Sequence, residues 1–330
     1  AYQWFKDGLP LAGATQARLG FSSASSEHSG NYAVAVTGSH GSVVSGPAPV
    51  AVRPAAEPAA PGHLVNLSVR TAAGSGGETL IVGFYVTGQP DKTVLIRAIG
   101  PSLAQFGVTG VLVDPRLQLW SDASVLTEND DWELPPGDGG AATLSHAFLL
   151  TGAFPLETGS RDAALVRTVG VGSYTAQVSG ADATGAALVE LYDTTPGAGA
   201  RLANLSARGA VGSGDFLIAG FSLSGNVPKT VLIRGIGPSL ESLGLTGVLA
   251  NPHLTVFRDS AELAANDDWG GAAALTLASA QVGAFAPSSA SSRDAMLLLS
   301  LAPGSYTAQV SGVDATAGVA LVEVYEMPSP

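Results

Sequence analysis

The stretch KTVLIRAIGPSL at residues 92–103 returns as KTVLIRGIGPSL at residues 229–240. Thr93-Val94-Leu95-Ile96-Arg97 is rich in β-forming side chains and ends before Gly100-Pro101, which marks it as a strand closed by a turn. Around this pair the similarity spreads in both directions. HLVNLSVR at 63–70 matches RLANLSAR at 201–208, and TGVL, NDDW, SRDA, GSYTAQVSG and ALVE(L/V)Y(D/E) follow in the same order in both copies. Residues 63–193 therefore repeat as residues 201–326, a period too long for a solenoid and long enough for a domain with its own core.

Each copy reads as a series of short strands. Leu117–Trp120 alternates and meets a turn at Ser121-Asp122. Ser173–Val178 alternates and stops at Ser179-Gly180, and Ala187–Tyr192 closes the copy. Strands at this spacing, with Gly, Asp and Pro turns, predict an antiparallel β-sandwich or jelly roll. The single helical candidate is Pro101–Phe106, with Pro in its first turn and Gly107 behind it. Composition agrees with an all-β chain: 46% of residues are apolar, 13% are charged, and 42 are Gly.

The formal net charge is −12, with 15 Lys and Arg and no basic run, which argues against nucleic acid and against an anionic membrane surface. The chain has no cysteine, so disulfides, thiol catalysis and thiolate metal sites are excluded. No apolar stretch is long enough to span a bilayer. The chain opens on Ala1 without Met or a signal peptide, and reads as a processed or excised part of something longer.

Residues 1–53 precede the repeats, and Pro/Ala-rich residues 54–62 read as an extended linker. Residues 194–200 read as a second linker and 327–330 as a tail. YQWFKDGLPL and HSGNYAVAVTGSHGSVVSGPAPVAV resemble the second half of an immunoglobulin-like domain, with Trp4 as the core tryptophan and Tyr32 at the tyrosine corner. Val34 stands where that family usually has a disulfide cysteine, and His28 where an aspartate often precedes the Gly-x-Tyr. The resemblance implies an incomplete sandwich whose first two strands lie before Ala1. Upstream chain supplies them, or a neighbouring subunit donates them, or the unit is a half-domain.

Asn129-Asp130-Asp131-Trp132 and Asn266-Asp267-Asp268-Trp269 are the motifs most able to carry chemistry. With the later GSYTAQVSG strand they resemble bacterial pre-peptidase C-terminal domains, jelly rolls appended to secreted enzymes and related to calcium-binding modules. The whole repeat is similar to tandem modules of surface proteins from Verrucomicrobia-type bacteria. Clustered oxygens of Asn129, Asp130, Asp131, Asn266, Asp267 and Asp268 suit Ca²⁺, with Asp162 or Asp294 or backbone carbonyls completing the set. The competing reading makes these side chains turn caps and the tryptophans plugs of the sandwich end.

The remaining motifs read as structural. Arg161-Asp162 and Arg293-Asp294 suggest an ion pair or loop clamp, and Lys92, Arg97, Lys229 and Arg234 suggest solvated or paired charges. Asn66-Leu67-Ser68 and Asn204-Leu205-Ser206 match the N-glycosylation acceptor pattern by chance. None of the five His recurs at a matched motif, and HExxH, GxSxG and GxxxxGK[ST] are all absent. The expectation is a non-enzymatic, extracellular or cell-surface structural or adhesive protein that needs no cofactor. Its partners would be neighbouring copies in a homopolymer or other surface proteins. The alternative is an accessory module of a secreted enzyme that binds polysaccharide or protein. Trp120, Trp132 and Trp269 are the aromatics whose exposure would favour the second.

Overall fold

A computed structural model describes residues 1–52, 60–134, 140–180, 184–196 and 199–328. The linker expected at 54–62 lies outside the described residues apart from 60–62, and the tail apart from Met327 and Pro328. The chain divides into two compact units, Ala1–Pro58 and Ala59–Pro330.

The first unit is a single antiparallel sheet. Its strands are β1 (Tyr2–Lys6), β2 (Leu9–Pro10), β3 (Gly30–Gly38), β4 (Gly41–Val44) and β5 (Ala48–Val50). Asp7-Gly8, both at positive φ, turn β1 into β2. β3 is the centre: β1 pairs along one edge, and β4 and β5 share the other. Trp4 sits opposite Val34 in this ladder. The Tyr32 hydroxyl donates to the His28 carbonyl at 2.8 Å. Tyr32 is the buried apolar residue here; Trp4, expected at a core position, is half-exposed, because one layer has no second sheet to press against it.

The first copy of the repeat contributes β6 (His63–Ala73), β7 (Leu80–Thr87), β8 (Lys92–Ile99), β9 (Pro115–Ser121), β10 (Ser124–Asn129), helix α1 (Gly140–Thr151), β11 (Ala163–Val169), β12 (Gly172–Gly180) and β13 (Gly185–Asp193). The second contributes β14 (Arg201–Val211), β15 (Leu217–Ser224), β16 (Lys229–Ile236), β17 (Pro252–Arg258), β18 (Ala261–Asn266), helix α2 (Ala273–Gln281), β19 (Ala295–Leu301), β20 (Gly304–Gly312) and β21 (Gly318–Glu326). Pro101–Phe106 and Pro238–Leu243 form 3₁₀ turns, each closed by a left-handed glycine, Gly107 or Gly244.

These strands make an antiparallel sandwich, so the all-β expectation stands. The pairings trace two layers. One runs β10-β9-β12-β7-β14-β21-β16-β19 and the other β11-β8-β13-β6-β15-β20-β17-β18. A single residue pair, Leu64 opposite Leu202, links them. Each layer is half from one copy and half from the other. The edge strands β6 and β7 of copy one meet β15 and β14 of copy two, and the two junctions match: Arg70 faces Ile218 as Arg208 faces Ile81. The copies thus lie about an approximate twofold axis through Leu64 and Leu202.

Strand alternation explains the core. On β7, Leu80, Val82, Phe84 and Val86 are buried between the layers while Ile81, Gly83, Tyr85 and Thr87 face outward. One continuous core takes side chains from both copies, among them Leu67, Phe84, Leu205 and Phe221. The expectation of a separate core for each copy is therefore corrected: two open edges per copy cost unpaired backbone groups, and reciprocal pairing removes that cost.

The two α-helices are a second correction. Leu144, Ala147 and Phe148 at helical spacing pack α1 onto the outer face of β8 and β11 with Leu95, Ile99 and Ala164. Leu149 and Leu150 on the same helix are exposed, so its apolar pattern is nearly all-round and does not announce one face.

Candidate functional site

The duplicated motifs converge on one structural knot per copy. β8 ends at Ile99, and Gly100 turns the chain so closely under Leu112 that a Cβ there would lie 1.9 Å from the Leu112 carbonyl oxygen. The following 3₁₀ turn leaves its first amides open, and fully buried Asp162 fills them. Its carboxylate accepts from the amides of Gly100 (2.8 Å) and Ser102 (3.3 Å) and from the hydroxyls of Ser102 and Ser160. In copy two Asp294 accepts from Gly237, Ser239 and Ser292 in the same way.

The Asn-Asp-Asp-Trp loop fastens to that knot. The Trp132 amide donates to the Asp162 carbonyl at 2.7 Å and the Trp269 amide to that of Asp294 at 2.8 Å. Both indoles are buried plugs. Asn129 holds the loop with its amide nitrogen, 2.8 Å from the Asp131 carbonyl, while its oxygen accepts from Ala164 at 2.9 Å. Asn266 does the same with Asp268 and Met296. Of the proposed calcium ligands, then, the two asparagine oxygens are already bonded to backbone amides. Asp130, Asp267 and Asp268 are exposed and Asp131 half-buried. Among the described residues no group of three or more His, Asp or Glu gathers as a metal site.

The strand charges read as solvated or paired are deeply buried and paired. Lys92 contacts Asp193 at 2.9 Å. The Arg97 guanidinium lies 3.2 Å from Glu190, donates to the Phe154 carbonyl at 2.6 Å, and lies over the rings of Phe148 and Phe154. Arg234 lies 3.3 Å from Glu323 and over the ring of Phe285. Burial pushes both glutamates above the ordinary range, opposed by the neighbouring arginine and by the hydroxyls of Tyr192 and Tyr325. Arg97, Glu190, Arg234 and Glu323 are all buried.

The open site lies elsewhere, on the outer face of the layer where the copies join. Register places Ser173, Tyr85, Asn204 and Tyr325 side by side on β12, β7, β14 and β21. The next row pairs Thr87 with Arg201. The end of α2, Gln281–Gly283, and Pro328 wall a cleft of about 540 Å³ above these rows. Arg201 is held by Nε, 3.1 Å from Glu326. Glu326 also accepts from the Leu64 amide at 2.5 Å and lies 3.8 Å from Lys229, so it ties the first strand of copy one to copy two. Burial pushes its carboxyl up as well.

Sequence reasoning missed this cleft, because its rows cross from one copy to the other. The available signal was the one unlike position in a matched row, Tyr85 against Ser222. Of the three tryptophans named for exposure, Trp132 and Trp269 are buried and Trp120 is half-exposed.

The fold and its sites define the class of protein: an all-β, antiparallel sandwich with structural knots at its duplicated motifs. No family model matches the chain, and no curated protein matches it. Among solved structures the chain is similar to PNGF-II in its P21 crystal form, with 12% identity over 79% of this chain and 59% of that one, at a TM-score of 0.20. It is also similar to PNGF-II in the C2 form, with 11% identity over 81% and 60%, again at 0.20. The chain thus spans about three fifths of the length of those proteins. At such scores the likeness carries no argument about fold or function. Among the described residues no helix is long and apolar enough to cross a membrane.

Proposed function

We propose that this chain is an extracellular or cell-surface structural and adhesive protein without catalytic activity. The observation that carries the reading is the structural use of most of the duplicated polar side chains. Asp162, Asn129, Trp132 and Arg97, with their counterparts, are consumed in hydrogen bonds, plugs and buried pairs. A duplicated enzyme would duplicate an open acid, base or nucleophile. The joined layers and their shared core suit a load-bearing role, and no metal or cofactor is needed for it.

The first unit is an immunoglobulin-like half-domain, supported by the Tyr32 corner and the Trp4–Val34 pair. The repeats are pre-peptidase C-terminal-like jelly rolls. The partner is a second copy of this chain, which lays strands on the first unit, and the product is a surface filament. Exposed Val36, Val43, Val44 and Val50 on a single-layer sheet support that exchange. Electron microscopy of the purified chain tests it. Ordered fibres that vanish when residues 1–53 are removed are expected; a dispersed intact chain, or unaltered fibres from the truncated one, would overturn it. The accessory-module reading is favoured by one observation, the Tyr85 cleft.

A further inference from the structure

The two junctions are matched row for row, and they differ where one of them would become a binding site: Tyr85, Thr87 and Arg201 here stand against Ser222, Ser224 and His63 there. On the opposite layer the row corresponding to Ser173, Tyr85, Asn204 and Tyr325 is Ser305, Ser222, Asn66 and Tyr192. Three of the four side chains are unchanged and the fourth is Ser instead of Tyr. There the row closes on itself: the hydroxyls of Ser222 and Ser305 bond one another at 3.0 Å.

In the cleft the row stays open. Tyr85 is 39% exposed, and its ring makes no stacking contact with another aromatic side chain among the described residues. Among those residues the Tyr85 hydroxyl, Ser173, Thr87 and Gln281 take no side-chain hydrogen bond within the protein. Arg201 engages only its Nε, and leaves its two terminal nitrogens for a ligand. Asn204 engages only its amide nitrogen, 3.3 Å from the Val324 carbonyl, and leaves its oxygen as an acceptor. Adjacent strands stand about 4.8 Å apart, so the polar groups flank the aromatic ring at one strand spacing on either side.

An exposed phenol face edged by donors and acceptors matches a pyranose ring, whose axial C–H groups form an apolar face and whose hydroxyls form a polar rim. The cleft, about 540 Å³, has room for one or two sugar units. We propose that this cleft is a saccharide-binding site, with Tyr85 as the stacking platform and Ser173, Asn204, Gln281, Thr87 and Arg201 as the hydroxyl-reading groups. Arg201, part-neutralised by Glu326, admits a neutral sugar or a uronate. The inference goes beyond the structural role, because the site binds within one chain whether or not fibres form.

The test is saturation-transfer NMR and calorimetry on the full chain with three probes: cellotetraose, chitotetraose and tetragalacturonate. At least one is expected to bind, with transfer to ring C–H protons. The neutral and uronate arms identify which sugar the cleft takes. Tyr85→Ser, which installs the residue that copy two carries at the matched position, should weaken binding tenfold or more while leaving the melting temperature and any fibres unchanged. Absence of binding by all three probes at 10 mM, or less than a threefold loss in Tyr85→Ser, would overturn the proposal.

Discussion

Asp162 and Asp294 each sit fully buried with bonds only from backbone amides and serine hydroxyls. A buried acceptor set of this kind is costly to disturb, because each donor left unpaired loses about 1–3 kcal/mol. Asp162→Asn keeps the shape but turns half of the acceptor into a donor facing donors. It is expected to destabilise by about 2–4 kcal/mol in denaturant unfolding. Residue-level electrostatics also set a pH dependence. Burial raises the carboxyls of Glu190, Glu323 and Glu326 above the ordinary value of 4.5. The folded protein therefore holds protons that the unfolded chain has released. That contribution to stability is complete below the unfolded value and is lost as pH rises through the folded one. Glu323→Gln, which cannot ionise, should flatten the fall of melting temperature with rising pH above pH 4.5.

At the scale of elements, the junction between copies depends on close strand approach. A Cβ on Gly83 would lie 2.5 Å from Ser206 Oγ across the β7–β14 pair, and one on Gly220 2.6 Å from Ser68 Oγ across the β15–β6 pair. Gly83→Val should therefore cost about 1–3 kcal/mol by overpacking. Adding Ser206→Ala should recover a good part of it, which a double-mutant cycle measures directly. The same elements show what could be read early. Thr93–Arg97 falls in a strand as its β-forming side chains imply, Leu117–Trp120 and Ser173–Val178 as their alternation implies, and Pro101–Phe106 is a helical turn. α1 and α2 escaped notice because apolar residues surround them. The open row around Tyr85 escaped because its members lie on strands far apart in sequence.

For the repeat pair as a whole, shared sheets and a shared core imply that the copies unfold together. A single cooperative transition is expected by calorimetry for residues 60–328. Copy one produced alone, as residues 60–193, would bare β6 and β7. A second copy of itself presents strands equivalent to β14 and β15, so it should form a homodimer through the same two edges. Light scattering on the eluting protein checks this, and a stable monomer would contradict the account of the junction.

Residue order alone determined the duplication, the β class and the turn positions. Those are local properties, written in alternation, in Gly and Pro punctuation and in identical strings such as GSYTAQVSG. Tertiary structure decided which edges pair, that one core serves both copies, and that Asp162 caps a turn rather than facing solvent. Edge pairing is made by backbone N–H and C=O groups that every residue carries. Nothing in residues 63–73 therefore names β15 as their partner; only the folded chain brings the two edges together, and with them the row that holds Tyr85.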